Sequence, residues 1–590
     1  MADGLPAPIE TFAERREEIH MQENVRDPLV ERLLGPGKQF ELEDTVVFDR
    51  TVQVFKGAPR TVNDIYRKAQ TFRGTGRRLV VQDELSYSYE EGFARAAALS
   101  KALREQYGVK RGTMVAMVMS NRPEWLISLI AIHAAGAVAV IVNSRGAAEE
   151  MLRAARQCDS VLVIADADRD AIMSGAEPDP AWPRIIIEAD RASLRPGKDA
   201  SFEALTTPVA GLELEFAEVS PEDGAVVLFT SGTTGFPKGA LLGHGGVAQS
   251  IAISGFMGTL QDLRFEEERG RAIPPERRSM TSPVVILGPM FHLGGIMPTL
   301  RAMQFGATVF IMTKWNVDIA FDMIEREGLS RLAFVPTMLW DMLRSPKAGP
   351  QNLGSVLYLS SGAALLNPAL VDEIKVRMPD CLLSNTYGQT EDSAWCASIS
   401  GKAYFADTAS CGWVVPTVTA EIRRDDGSVA PTGEAGEIFV FGANVMIGYY
   451  GDERATAESI QDRWLATGDI GVFDETGKLT IVDRKKNMVI SGGENIYCAE
   501  IERVLSDHEG VREVIAYGEP DPRLGERLVA TVFTEPGASV DEEELKAYVK
   551  GRLAIYKVPR AIYLTAEPLP RTATGKHDRG WFMRRAREKA

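Results

Sequence analysis

From about residue 80 the chain alternates short, wholly apolar runs with longer stretches of helical periodicity. Residues 114–119, 138–142, 161–165, 185–187 and 225–229 are such runs. Short runs with hardly a polar position read as strands covered on both faces, and their alternation with helical patterns predicts α/β layers with largely parallel strands. Residues 284–287, 356–359, 438–441 and 479–482 predict further strands. Residues 125–142 form the one long uncharged run, but Gly136 divides it and β-branched residues crowd its second part. It therefore predicts a buried helix followed by a strand, not a membrane span. The charged stretch 261–280 holds two prolines and little periodicity and predicts a surface loop. Residues 1–40 are charged and weakly patterned, and their short amphipathic piece ends at Gly35-Pro36-Gly37.

A chain of 590 residues exceeds the size at which one core stops growing, so at least two domains are expected. A formal charge of −16 argues against nucleic acid and anionic membrane surfaces as partners. Cys158, Cys381, Cys396, Cys411 and Cys498 form no CxxC pair, which predicts a reducing compartment, with the cytoplasm as default. No Cys/His cluster with metal-ligand spacing is visible.

The densest chemistry follows the run 225–229. Thr230-Ser231-Gly232-Thr233-Thr234-Gly235-Phe236-Pro237-Lys238-Gly239 combines glycines, hydroxyls and one lysine. Glycines let backbone N–H groups approach an anion, hydroxyls add uncharged donors and Lys238 adds a point charge. A Walker loop has Gly before the lysine and Ser or Thr after it, where this chain has Pro237 and Gly239. Without the Pro-Lys-Gly ending the cluster would read as a flexible connection.

This stretch resembles the AMP-binding signature of the adenylate-forming superfamily, which includes acyl-CoA synthetases, peptide-synthetase adenylation domains and firefly-type luciferases. Similar motifs continue in the family's order to Lys576, so the resemblance spans nearly the whole chain. It implies that Thr230, Ser231, Gly232, Thr233, Thr234, Gly235 and Lys238 cradle the phosphates of ATP. It places Gly362, Ala363 and Ala364 beside the adenine and the acyl pocket. Within Asn385-Thr386-Tyr387-Gly388-Gln389-Thr390-Glu391, it implies that Asn385, Tyr387, Gly388 and Gln389 border the nucleotide. Thr390 would donate to the α-phosphate and Glu391 would ligate Mg²⁺.

His292, in Phe291-His292-Leu293-Gly294-Gly295, would lie near the bound carboxylate, although a lone histidine beside apolar residues also reads as structural. Asp469, in Trp464-Leu465-Ala466-Thr467-Gly468-Asp469, would accept both ribose hydroxyls, with Arg484 also on the ribose. Gly448-Tyr449-Tyr450 is a further family marker that reads mainly as structural. Lys486 would be the interdomain pivot, Gly492, Gly493 and Glu494 would line a pantetheine tunnel, and Lys576 would be the catalytic lysine. Cys498 stands where the family commonly has proline.

The implied fold is a large multi-layer α/β domain (1–483, with 1–40 as an extension) and a small mobile α+β domain (484–590), hinged at 484–487. The implied activity is ATP-dependent activation of a carboxylic acid to an acyl-adenylate and pyrophosphate, then transfer to coenzyme A with release of AMP. Cofactors are then ATP, Mg²⁺ and coenzyme A, and the partners are small molecules, with homo-oligomerisation left open. Phe291, Leu293, Ala363, Ala364 and Trp395 give an apolar pocket that points to a fatty or aryl acid. Transfer to a separate carrier protein and luciferase-like oxidation are the alternatives. Because ATP and coenzyme A are polyanions, a chain this acidic must concentrate cations at the site, and Lys238, Arg484, Lys485, Lys486 and Lys576 are the candidates.

Overall fold

The computed structural model describes residues 27–230, 237–334, 336–361, 366, 368–491, 494–534, 537–572 and 577–589. The apolar runs become the middle of an eight-stranded sheet. Its order is Gly448–Tyr449, Lys238–Gly243, Gly224–Thr230, Val138–Ile141, Met114–Val118, Leu162–Asp166, Arg184–Ile187 and Ala200–Ser201. From Gly224–Thr230 onward the strands are parallel, as expected. The first two strands add antiparallel at the other edge.

Parallel neighbours need crossover connections. One of them, the helix Pro123–Ala134, has all twelve residues buried, which explains why apolar residues dominate it and show no single face. Gly136 turns the chain into the next strand at φ +78°, where a Cβ would come within 2.9 Å of the Ala217 Cβ. Among the described residues no helix is long and apolar enough to cross a membrane.

A ten-stranded sheet starts with parallel strands Arg331–Phe334, Tyr358–Ser361 and Leu382–Tyr387. It continues antiparallel through Ala397–Ser400, Ser410–Val414, Leu479–Arg484, Trp464–Phe473, Gly436–Gly442 and Val418–Arg423, with Ile460–Gln461 alongside Trp464–Phe473. The strand expected at 356–359 begins two residues later, because pairing starts where Tyr358 lies opposite Arg331. A four-stranded sheet joins Val284–Ile286, Val309–Ile311, Arg78–Gln82 and Leu85–Ser88.

After residue 488 a separate five-stranded sheet forms from Val489–Ser491, Glu494–Ile496, Val511–Asp521, Gly525–Thr534 and Ala561–Thr565. The helices Cys498–Ser506 and Glu542–Lys550 help to build its own core around Ile501, Leu505, Val514, Leu528 and Leu545. The fold is thus a large N-terminal α/β domain with a small C-terminal one.

Only the second part of the stretch 261–280 is the expected surface loop, with a 3₁₀ turn at Pro275–Arg277. Residues 261–269 are the last turns of the long helix His244–Arg269, which Gly270 closes at φ +63°. Asp262 is buried and accepts from Ser279 N (3.1 Å), Ser279 Oγ (2.6 Å) and Tyr358 OH (2.6 Å). Polar residues that look solvated in sequence are here satisfied inside, which hides the helical period.

Two histidines lie beneath the strand Gly224–Thr230. His133 Nε2 donates to the Ala225 carbonyl at 3.0 Å, and its Nδ1 accepts from Tyr66 OH at 2.9 Å. His244 packs edge-on to His133, ring centroids 5.7 Å apart, and neither of its ring nitrogens has a hydrogen-bond partner among the described residues. Burial pushes His133 down to about 3 and His244 down to about 4.

Both histidines are therefore neutral in the folded chain, while the unfolded chain takes up their protons below pH ~6.5. Stability from this source is complete above pH ~6.5 and falls toward pH 4, by about 1.4 kcal/mol per pH unit for each histidine. His244→Leu should accordingly lose less stability than wild type between pH 7 and pH 5 in urea titrations. Equal losses in the two proteins would refute burial of a neutral His244.

Candidate active site

The strand Gly224–Thr230 leaves its sheet at Thr230 and returns as Lys238–Gly243, with Thr230 opposite Lys238 in register. The two ends of the expected phosphate loop are thus held side by side. Its interior, Ser231, Gly232, Thr233, Thr234 and Gly235, lies outside the described residues, as do Gly362, Ala363, Ala364, Gly492, Gly493 and Lys576.

In the ten-stranded sheet, Leu382–Tyr387 ends at the same face and runs through Gly388 and Gln389 into a 3₁₀ turn, Thr390–Asp392. Many contacts hold this turn. Gln389 N donates to Asp392 Oδ1 (2.8 Å), Met446 N to the Glu391 carbonyl (2.8 Å) and Asn444 Nδ2 to the Asp392 (2.6 Å) and Trp395 (2.9 Å) carbonyls. Ser250 Oγ donates to the Ser393 carbonyl (2.6 Å) and Ser393 Oγ to the Asn444 carbonyl (2.8 Å). Ser393 and Ala394 stand at φ +53° and +82°. Such left-handed positions cost of order 1–3 kcal/mol each and persist only where neighbours impose them. Gly388 makes the turn possible, since a Cβ there would lie 2.3 Å from the Ala394 carbonyl carbon.

The predicted nucleotide residues converge here. Tyr387 OH donates to Asp469 Oδ2 at 2.8 Å, and Arg484 Nε pairs with Asp469 Oδ1 at 2.9 Å from the neighbouring strand. Tyr449 OH donates to Glu391 Oε1 at 2.8 Å, and the Lys238 ammonium sits 5.2 Å from the Tyr449 ring centroid. Lys486 bridges the two groups electrostatically. Burial, together with Arg484, lowers its pKa, while Asp469 and Glu391 pull it back up. Asp392, wholly buried, is pushed up to about 8 by burial, with Glu391 adding to the shift.

Other candidates fall elsewhere. Asn385 directs its amide into the sheet, donating to the Ser410 carbonyl at 3.1 Å. His292 is the N-cap residue of the helix Leu293–Phe305. Phe291 and Leu293 pack against the large central core, whereas Trp395 packs with a different cluster around Ile253, Phe256 and Met257. Glu494 is exposed at the start of its strand. Next to the expected pivot, Asp483 Oδ2 accepts from Ala499 N (2.9 Å) at the start of the helix Cys498–Ser506, and Cys498 Sγ donates to the Asn487 carbonyl (3.0 Å).

Among the described residues no group of three or more His, Cys, Asp or Glu side chains could hold a metal alone. A cation that takes one hard carboxylate and completes its shell with phosphate oxygens and water still fits Glu391, one oxygen of which is already fixed by Tyr449. Asp392 and Asn444 are participants that the sequence did not single out, while Tyr449 and Asp483 stood there only as members of the strings Gly448-Tyr449-Tyr450 and Asp483-Arg484-Lys485-Lys486-Asn487.

Residues 67–450 match the family model described as AMP-binding enzyme, and residues 500–576 match the AMP-binding enzyme C-terminal domain. Indoleacetate–CoA ligase of Aromatoleum aromaticum is 33% identical over 84% of this chain and 91% of its own length. An amide bond synthetase from Marinactinospora thermotolerans superposes with a TM-score of 0.76 at 27% identity, covering 88% of this chain and 100% of its own. The o-succinylbenzoate CoA synthetase of Bacillus subtilis, solved with its acyl-adenylate intermediate, gives a TM-score of 0.73 at 26% identity, covering 89% of this chain and 98% of its own. With both models matched in order and the site residues gathered between two sheets, this chain belongs to the AMP-binding enzyme family of the adenylate-forming superfamily.

Proposed function

We propose that this chain is an AMP-forming carboxylate–CoA ligase acting on a ring-bearing, aryl-type acid. The observation that carries the reading is the convergence of Lys238, Tyr387, Glu391, Asp469, Arg484 and Lys486 between two sheets. These are the groups that a bound nucleoside triphosphate requires: an acceptor-only carboxylate for ribose hydroxyls, a flat ring, cations, and a carboxylate for its divalent ion. The ring-bearing acid is favoured over a fatty one by the names of relatives at this identity, which act on indoleacetate and 2-succinylbenzoate. All five cysteines are unpaired and buried, which supports a reducing, cytoplasmic setting.

In this reading the acid's carboxylate attacks the α-phosphorus of ATP and pyrophosphate leaves. The coenzyme A thiolate then displaces AMP from the acyl-adenylate, so one hard step becomes two easier ones. Magnesium held through Glu391 and the phosphates would neutralise charge on the triphosphate. Thr390 and Lys576 donate to oxygens on which charge grows, while Lys238 holds the departing pyrophosphate end. Asp469 exchanges its bond from Tyr387 for the ribose hydroxyls and keeps Arg484 as counter-charge. The small domain turns about Lys486 between the two steps, presenting Lys576 in the first and Gly492-Gly493 in the second.

A panel of aryl and fatty acids, assayed for pyrophosphate and AMP with and without coenzyme A, tests the reading. Aryl acids should release pyrophosphate, and multiple turnovers should require coenzyme A. Turnover with fatty acids alone would overturn the substrate class. Adenylate formation with no thioester product would move the acceptor to a carrier protein or an amine.

Lys576→Ala should slow adenylate formation by at least about 100-fold, the typical cost of one lost donor to developing charge. It should still convert supplied acyl-adenylate and coenzyme A to thioester within a few-fold of wild type. A bulky residue at Gly493 should do the reverse. If single-turnover assays show equal loss of both half-reactions in both variants, the turning domain is refuted.

A further inference from the structure

We infer that Tyr449 is a positioning residue for the phosphate end of the site, fixing the Glu391 carboxylate with its hydroxyl and the Lys238 ammonium with its ring. This rests on the proposed roles of Glu391 toward a divalent cation and of Lys238 toward phosphate. Sequence reading had left Tyr449 as a structural marker. Its side chain instead links the two groups that meet the triphosphate from different sheets.

The backbone of Tyr449 is itself held rigidly. The two-residue strand Gly448–Tyr449 pairs antiparallel with Lys238–Gly243, Tyr449 opposite Ala240, so it rides on the strand that carries Lys238. Tyr449 N donates to Thr456 Oγ1 at 2.9 Å, and a Cβ on Gly448 would come within 2.6 Å of the Thr456 Cγ2. The neighbouring chain also supports Glu391, whose carbonyl accepts from Met446 N at 2.8 Å. Residues 446–449 therefore fix both the main chain and the carboxylate of Glu391.

The direction of the hydrogen bond is determined by chemistry. An ionised carboxylate only accepts, and a phenol beside it keeps its proton, so Tyr449 donates to Oε1 at 2.8 Å. One carboxylate oxygen is thereby engaged and the other is left to a cation. A ligand carboxylate oriented by a hydrogen bond from outside the metal's own shell binds more tightly, because its rotamer is chosen in advance. The ring does comparable work for Lys238. With the ammonium 5.2 Å from the centroid, an aromatic face steadies the cation without neutralising it, as a carboxylate partner would. The cation therefore keeps its full charge for phosphate.

Tyr449→Phe keeps the ring and removes the hydroxyl, and Tyr449→Leu removes both. The readout is binding of Mn²⁺ in the presence of ATP, followed by the electron paramagnetic resonance signal of free Mn²⁺, with AMP binding and the KM for the acid measured alongside. Tyr449→Phe should weaken Mn²⁺ binding by about tenfold, in the range expected for a lost hydrogen bond to a charged group. AMP affinity and the acid KM should stay within about twofold. Tyr449→Leu should also weaken metal-free ATP while sparing AMP, which lacks the terminal phosphates. On a Glu391→Gln background, Tyr449→Phe should add little.

Unchanged Mn²⁺ binding in a folded Tyr449→Phe protein, with Glu391→Gln weakened, would overturn the inference alone. Unchanged Mn²⁺ binding in Glu391→Gln would overturn the cation role of Glu391 as well. A uniform loss of Mn²⁺, AMP and acid binding in Tyr449→Phe would show a merely structural tyrosine.

Discussion

Three carboxylates, Glu391, Asp392 and Asp469, lie buried within electrostatic reach of one another, and much of the site is an answer to that crowding. Taking charge out of water is costly unless each group finds partners. Each carboxylate has a different solution. Asp469 has a guanidinium and a phenol, Glu391 has a phenol and shares the field of Lys486, and Asp392 turns inward to the Gln389 amide and is pushed up to about 8. A chain of net charge −16 that receives a polyanion needs such an arrangement, because its cations must be close yet not wholly neutralised.

The tyrosines are what make this workable. Tyr387 and Tyr449 each offer a neutral donor to a carboxylate, and neither cancels its charge. An arginine in place of Tyr449 would put a fixed cation on the Glu391 carboxylate, and one in place of Tyr387 would add a second to the Arg484 that Asp469 already has. Both tyrosines sit on short, closely held strand ends, so the hydrogen bonds are set by the sheets and not by mobile side chains.

The strands at 114–118, 138–141, 162–166, 184–187 and 224–230 were legible because both faces of each are covered, and the chain writes that as unbroken apolar runs. Gln261 and Asp262 were misread because a buried polar residue with internal partners looks like a surface residue in sequence. Only the fold brings Ser279 and Tyr358 to Asp262. The residues that converge at the candidate site were legible as strings with dense, local chemistry, such as 385–391 and 464–469. Asn444 was not, and Tyr449 was legible only as a structural marker, since the role of a tyrosine or an asparagine depends on a partner that here lies 58 or 52 residues away in sequence.

The contact between Asp483 and Ala499 spans the expected pivot, with one partner before Lys486 and the other after it. A turn about that expected pivot would carry the helix Cys498–Ser506 away from Asp483 and forfeit this bond, whereas the thiol contact from Cys498 to Asn487 lies wholly beyond Lys486 and would be kept. That bond would contribute about 1 kcal/mol to the orientation described here, the typical worth of one capping interaction. A contribution of that size is one that the differential affinity of a ligand for two orientations could offset.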